Sequence, residues 1–168
     1  MTADHARAIA DYFANMFDQE FTNTLKVLRA VPDARRDYKP DEKSRTAWEL
    51  ATHLVGTDLW FLDCVCDAVF VYDPEVEQKR TSGLATMDDV VAFYEREYPP
   101  RIQRLRSTPG ETLAKEVDSF GKKEPAISLL GAANNHSVHH RGQLVSYLRS
   151  MGSKVPAIYG GSADEPYH

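Results

Sequence analysis

Three of the chain's six histidines, His136, His139 and His140, fall within five residues of one another. The surrounding stretch, 125–151, has the apolar periodicity of a helix. Because an α-helix turns by about 100° per residue, His136 and His140 project from one face, whereas His139 points elsewhere. Two imidazoles on one face make only half of a divalent-metal site. The chemistry therefore depends on whether the rest of the chain supplies a third ligand.

The candidate third ligand is His53, which lies within the apolar stripe of another predicted helix. Considered alone, a histidine in that setting is more often a hydrogen-bonded core residue than a metal ligand. Three neutral imidazoles with an open coordination position suit Zn²⁺ or Ni²⁺ in a catalytic site, whereas a closed structural site takes four ligands and usually thiolates. No Glu follows His136, so the zinc-peptidase pattern His-Glu-x-x-His is absent.

Four long stretches have the apolar periodicity of amphipathic helices, and no convincing set of strands accompanies them. The predicted helices run over about 2–30, 46–71, 87–107 and 125–151. This pattern predicts an all-α fold, a four-helix bundle followed by an extended C-terminal tail, within one domain spanning 1–168. In a bundle core, His53 on the second helix can meet His136 and His140 on the fourth.

The helix boundaries rest on local signals of unequal strength. Thr46 followed by Glu49 predicts a capping box at the start of the second helix. The Pro99-Pro100 pair predicts a kink or a break in the third helix, because proline removes an amide donor and crowds the preceding turn.

The connecting segments are predicted to be irregular. Residues 72–85 break the helical pattern, and 108–124 favour a short helical turn or a small hairpin. Gly142, in the middle of the fourth helix, suggests the close approach of a neighbouring backbone.

Composition narrows the class of protein. The net charge of -5 argues against a non-specific nucleic-acid binder, which needs a basic face. No apolar run approaches the ~18 residues needed to span a bilayer, and the N-terminus lacks a signal-peptide pattern. Cys64 and Cys66 fall on nearly opposite sides of a helix and cannot bridge. We expect a cytoplasmic protein without nucleic-acid or membrane partners.

Residues 136–143 closely resemble the His-x-x-x-His-Arg-Gly-Gln signature of DinB/YfiT-like proteins. Residues 48–54 are similar to the segment that carries that family's first histidine, and 155–165 to a tail that many members carry. The resemblance implies a four-helix bundle, commonly a homodimer, with one divalent cation held by His53, His136 and His140.

The resemblance also implies an activity. Characterised similar proteins include S-transferases and isomerases that use a low-molecular-weight thiol such as bacillithiol, mycothiol or glutathione. A cation on three imidazoles can lower the pKa of a thiol and present it to an electrophilic substrate in a mostly apolar cleft. Two alternatives stay open, namely metal-dependent hydrolysis by activated water and a non-catalytic, stress-associated metal-binding dimer.

Several residues are candidates for the surroundings of the metal. Glu49 and Asn135 could each accept the second N–H of a ligating imidazole. Arg141 is either a salt-bridged surface residue or a clamp for a carboxylate at the mouth of the site. Four further residues are candidates for cleft walls, for core packing or for neighbours of the ligands. They are Trp60, Phe61, Gln143 and Tyr147.

Overall fold

The computed structural model describes residues 1–166, and four long helices account for most of them. These helices pack as a bundle, with α2 against α6 and α4, and α1 against α4 and α6. This confirms the predicted all-α four-helix bundle. The elements are α1 (Ala3–Ala30), α2 (Ala47–Asp67), α3 (Pro74–Thr81), α4 (Met87–Ser107), α5 (Gly110–Leu113), β1 (Glu116–Ser119), β2 (Lys122–Pro125) and α6 (Leu129–Leu148).

The second helix begins at the predicted capping box. The Thr46 hydroxyl accepts a hydrogen bond from the Glu49 amide at 3.1 Å, and the Glu49 carboxylate accepts one from the Thr46 amide at 2.7 Å. The helix ends at Asp67, earlier than the predicted 71, because Ala68 adopts a left-handed conformation with φ 51°. The chain leaves the bundle there and returns as α3.

The prediction that 72–85 is irregular is wrong, since α3 lies within it. Asp73 caps this helix by accepting a hydrogen bond from the Glu75 amide at 2.9 Å, and Pro74 occupies its first turn. Glu77 lies near its beginning. These start signals are visible in the sequence, but the helix has only eight residues, none of them buried, and therefore no apolar stripe to reveal it.

The third long helix continues through Pro99 and Pro100 without interruption, so the predicted alternative of a break is wrong. The helix is buried on both sides of the proline pair. The buried side chains are Tyr94 and Tyr98 before the prolines and Ile102 after them. Burial of this stripe against α1 and α2 offsets the loss of the two amide donors, because tertiary packing commonly outweighs local propensity.

The region 108–124 contains both of the predicted alternatives, the single turn α5 and the antiparallel hairpin of β1 and β2. Gly110 begins α5 against the first residues of α1. A Cβ at Gly110 would lie 2.3 Å from the carbonyl oxygen of Ala3, so only glycine fits there. This close contact fixes the end of α4 to the start of α1.

The helix that carries the histidine cluster is continuous from Leu129 to Leu148 and ends at Gly152, whose φ is 80°. Gly142 is exposed, and a Cβ there would meet no neighbouring group within 4 Å. The predicted close approach of a backbone at Gly142 is therefore wrong.

The C-terminal tail contains no helix or strand from 153 to 166, as predicted, while its last residues, 167–168, lie outside the described part of the chain. The Ser153 hydroxyl donates to the Ala30 carbonyl at 2.6 Å, and Lys26 donates to the Ala157 carbonyl at 3.1 Å. The tail is thus held against α1. In residues 1–166, no helix is both long and apolar enough to cross a membrane.

Candidate metal centre

The structure brings His53, His136 and His140 together, with one nitrogen atom of each imidazole within 4.8 Å of the others. The Nε2 atoms of His53 and His136 are 3.1 Å apart. The ring centroid of His140 is 4.8 Å from that of His53 and 4.3 Å from that of His136. Residues 83 positions apart in sequence therefore form one cluster across α2 and α6.

Hydrogen bonds behind two of the rings fix which nitrogen faces the cluster. His53 donates from Nδ1 to Oε1 of Glu77 at 2.7 Å, and His140 donates from Nδ1 to Oε1 of Gln143 at 2.7 Å. These bonds leave the Nε2 lone pairs of His53 and His140 free, as a metal ligand requires. Two nitrogens bound to a tetrahedral Zn²⁺ at ~2.0–2.1 Å lie ~3.3 Å apart, close to the separation of His53 and His136. The donor set fits a divalent cation.

The electrostatics of the cluster also favour neutral imidazoles. Burial, followed by charge repulsion from the neighbouring His140 and His53, lowers the pKa of His136 to about 3. Burial likewise lowers the pKa of His140, followed by repulsion from His53 and His139. Imidazoles that remain neutral at physiological pH are available as ligands without first losing a proton.

Glu77 is the site residue that the sequence prediction missed. Its Oε1 accepts hydrogen bonds from His53 and, at 2.7 Å, from the hydroxyl of Thr57. Burial raises the pKa of Glu77, but the hydrogen bonds from His53 and Thr57 and the attraction to His53 outweigh burial and bring it to about 2. A carboxylate behind a ligating imidazole orients the ring and strengthens it as a donor. The sequence signal was the Asp73-Pro74 helix start, which places Glu77 in a helix facing α2.

Gln143 lies beside the cluster, as the sequence suggested, and is the hydrogen-bond partner of His140. Neither residue predicted to orient an imidazole occupies that position. The carboxylate of Glu49 is hydrogen-bonded to Thr46 in the capping box, and Asn135 is exposed. His139 is also exposed, with its ring centroid 5.0 Å from that of His140.

Arg141 was predicted either as a salt-bridged surface residue or as a clamp at the mouth of the site. The salt bridge is present, to Glu20, but both predicted locations are wrong. Its side chain is only 1% exposed and bonds to Glu20, to Tyr159 and, at 2.9 Å, to the hydroxyl of Thr24. Arg141 therefore links α6 to α1 and to the C-terminal tail. Because it follows His140 directly, its fixed position also fixes the helix that carries two of the three histidines.

The main cleft, with a volume of about 570 Å³, opens beside His53 and Glu77. Charged, polar and apolar side chains line it, so the prediction of a mostly apolar cleft is wrong. Of the predicted wall residues, none lines this cleft. Phe61 instead contacts His136 with ring centroids 5.8 Å apart, and Tyr147 is buried against Tyr38. The lining includes Arg45, Trp48, Thr52, Tyr72, Pro74, Gln78 and Thr81.

The two cysteines offer no competing nucleophile. Both are buried and free. Burial raises the pKa of Cys64 to about 11 and also raises that of Cys66. Both thiols therefore stay protonated at neutral pH, when a reactive cysteine would be a thiolate.

The comparisons with known proteins agree with this arrangement. The DinB family model matches residues 4–167. The uncharacterized protein YrdA of Bacillus subtilis is 26% identical over 156 residues, which cover 92% of this chain and 90% of YrdA. YjoA of Bacillus subtilis is 30% identical over 139 residues, covering 81% of this chain and 86% of YjoA.

Solved structures show the same fold. The crystal structure of YjoA, a DinB-like protein, aligns with a TM-score of 0.69 at 23% identity, covering 88% of this chain and 96% of that one. YfiT from Bacillus subtilis aligns with a TM-score of 0.67 at 14% identity, covering 86% of this chain and 89% of that one. YfiT is described as a probable metal-dependent hydrolase with an unusual four-helix bundle topology.

Proposed function

The chain belongs to the DinB family, and on that premise we propose that it is a metal-dependent S-transferase in which His53, His136 and His140 hold one divalent cation, Zn²⁺ or Ni²⁺. The observation that carries the proposal is the convergence of three imidazoles. The Nδ1 atoms of His53 and His140, which face away from the cluster, are hydrogen-bonded to Glu77 and Gln143, and that of His136 is buried. A divalent cation held by these imidazoles would lower the pKa of a bound thiol or water.

The residues of the chain have distinct roles in this proposal. Glu77 and Gln143 hold the imidazoles of His53 and His140 in the orientation that ligation needs. Arg45 lines the cleft, is exposed and makes no ion pair within residues 1–166. Bacillithiol and glutathione carry carboxylates, and a free guanidinium binds a carboxylate well. We assign Arg45 to that recognition.

The reaction is a substitution at an electrophilic carbon. The thiol loses its proton to solvent, and its sulfur forms a bond to the carbon of the second substrate. The bond from that carbon to the leaving group breaks, and the leaving group departs with the electron pair. The cleft volume of about 570 Å³ is large enough for a tripeptide-sized thiol beside His53.

Metal content tests the ligand set. Elemental analysis of purified wild type should give near-stoichiometric metal, whereas His136→Ala and His140→Ala should lose most of it. His139→Ala is the matched control, because that imidazole is exposed and is not one of the three clustered rings, and it should keep its metal. Stoichiometric metal in both His136→Ala and His140→Ala would show that the assigned ligands are wrong.

The reaction class is tested with the Co²⁺-substituted protein. If a thiol enters the coordination sphere, adding bacillithiol, mycothiol or glutathione changes the visible spectrum, and turnover of an alkyl halide requires that thiol. Arg45→Gln should raise the KM for the thiol with little change in kcat. Spectra that stay unchanged with every thiol, together with no thiol-dependent turnover, would refute S-transfer.

Hydrolysis is the second candidate, and the description of YfiT as a probable metal-dependent hydrolase favours it. In that reaction a water molecule replaces the thiol in the open cleft, and an ester or amide bond breaks. Turnover of ester or amide substrates that needs metal but no thiol would identify it.

A further inference from the structure

A second and smaller pocket lies next to the main cleft. Its volume is about 190 Å³, and its walls include Trp60, Val71, Tyr72 and Val76. Glu77 and Tyr72 belong to the walls of both cavities. We propose that this pocket binds a ring-sized apolar group of the electrophilic substrate. The identity of that substrate rests on the proposed function, whereas binding of the ring does not.

The size of the pocket suits a single ring. An apolar protein cavity of ~150 Å³ is known to stay dry and to bind benzene. At about 190 Å³ the pocket accommodates one substituted ring, but it is too small for a peptide or a nucleotide. The occupant is therefore a small group or one end of a small molecule.

Several polar atoms in the walls already have hydrogen-bond partners. The Trp60 indole donates to the Val71 carbonyl at 2.9 Å, and Arg80 donates to Asp63 at 3.0 Å. Asp73 caps α3, and Glu77 accepts from His53 and Thr57. Trp60, Val71, Tyr72 and Val76 supply mainly apolar wall surface, so an apolar ring gains burial there without breaking these hydrogen bonds. The walls therefore favour an apolar occupant.

The walls are also fixed before a ligand arrives. The bond from Trp60 to Val71 holds the indole, which packs edge-on against Phe70 and Tyr72 with ring centroids 5.1 and 5.5 Å away. Val71 is nevertheless 65% exposed and Val76 55% exposed. Rigid aromatic walls next to exposed apolar side chains form an apolar surface. Covering this surface with another apolar group removes it from water and is therefore favourable.

The position of the pocket connects it to the metal centre. Its wall residue Glu77 bonds directly to His53, and Trp60 contacts Phe61, which in turn contacts His136. A substrate with its ring in this pocket therefore lies next to the ligands, while the main cleft with Arg45 remains available for the polar thiol. The two cavities thus separate the apolar electrophile from the acidic cosubstrate.

Fluorescence of the metal-loaded protein tests the pocket without any assay of activity. The chain has two tryptophans, so Trp48→Phe leaves Trp60 as the single indole emitter. Nitrobenzene, a neutral ring that quenches indole emission, should quench Trp60 with saturable dependence on its concentration. Acrylamide, a polar quencher, should give only a linear dependence.

Filling the pocket provides the decisive comparison. In the Trp48→Phe background, Val76→Phe and, separately, Val71→Phe should weaken nitrobenzene binding at least tenfold. Val138→Phe, at an exposed valine on α6 that lines neither cavity, should leave binding unchanged. Circular dichroism and metal content of each variant show that it is folded.

The outcomes separate the pocket from the proposed function. Linear quenching by nitrobenzene in Trp48→Phe, or saturable binding that survives both filling substitutions in folded protein, would overturn the pocket. Saturable binding that both substitutions remove supports it, even if no thiol transfer is detected, in which case the proposed function alone fails.

Discussion

At the scale of single residues, the orientation of the clustered imidazoles depends on the residues behind them. Glu77 sets the tautomer of His53 and Gln143 that of His140, so that each presents a free Nε2. The Nδ1 of His136 is buried and has no hydrogen-bond partner within residues 1–166. This asymmetry predicts that His53 and His140 are held more rigidly than His136. The outer partners are therefore as informative to mutate as the ligands.

Glu77→Gln tests the contribution of the carboxylate. The amide oxygen can still accept the Nδ1 proton of His53, but the negative charge that strengthens the imidazole as a donor is lost. Metal affinity should fall about 10- to 100-fold, measured by competition with a chelator of known affinity. Glu75→Gln, in the same helix but exposed, is the control and should bind metal as the wild type does. Equal affinities for all three proteins would contradict the assigned role of Glu77.

At the scale of elements, α3 and α6 position the site by different means. The short helix α3 has no buried residue and is held by its Asp73 cap, by the Arg80–Asp63 ion pair and by the bond from Glu77 to His53. The long helix α6 is held by its buried face and by Arg141. Because α3 has little packing of its own, we infer that the Glu77 side of the centre is the more easily disturbed.

Gly142→Ala tests the account of α6. The glycine is exposed, lies in mid-helix and has space for a methyl group, so alanine should raise the free energy of unfolding by about 0.5–1 kcal/mol. Gly152→Ala is the contrasting variant, because φ of 80° strains any residue with a Cβ, and it should lower stability. Denaturant unfolding measures both changes. Destabilisation by Gly142→Ala would mean that the glycine has a role that its surroundings do not reveal.

At the scale of the whole molecule, the bundle contains buried polar groups that join its helices. Asp58 of α2 accepts hydrogen bonds from Tyr94 of α4 at 2.8 Å and from Ser137 of α6 at 3.1 Å. Burial raises the pKa of Asp58 to about 7, although the hydrogen bonds from Tyr94 and Ser137 and the charge of Arg141 oppose the shift. The folded state therefore binds a proton that the unfolded chain has already released near neutral pH.

This shift predicts how stability depends on pH. Because the pKa of Asp58 is higher in the folded state, its contribution to stability declines as pH rises from the unfolded value of 3.8 to about 7, and is constant above that. Between pH 5 and pH 8 the loss is about 3 kcal/mol. Asp58→Asn keeps an acceptor but carries no charge, so its stability relative to the wild type should increase by about that amount over this range. Denaturant unfolding at both pH values measures the difference, and a difference that does not change with pH would contradict the prediction.

The sequence alone was sufficient for the bundle and for the grouping of the histidines. Helical periodicity over twenty or more residues at a time predicted the four long helices, and the spacing of His136 and His140 placed both on one face. The capping box at Thr46 and Glu49 located the start of α2 because both partners lie within one turn. Such signals can be read from the sequence because the residues that produce them lie close together along the chain.

Only the tertiary structure decided what stands behind the ligands. Glu77 is 24 residues from His53, on a helix too short and too polar for periodicity to report, and its role follows from where α3 packs. Arginine is usually a surface residue, and the burial of Arg141 depends on hydrogen-bond acceptors from α1 and the tail. Pro99 and Pro100 carry a local signal that packing overrides. In each case the deciding energy comes from partners distant in sequence, and only the folded chain specifies which partners meet.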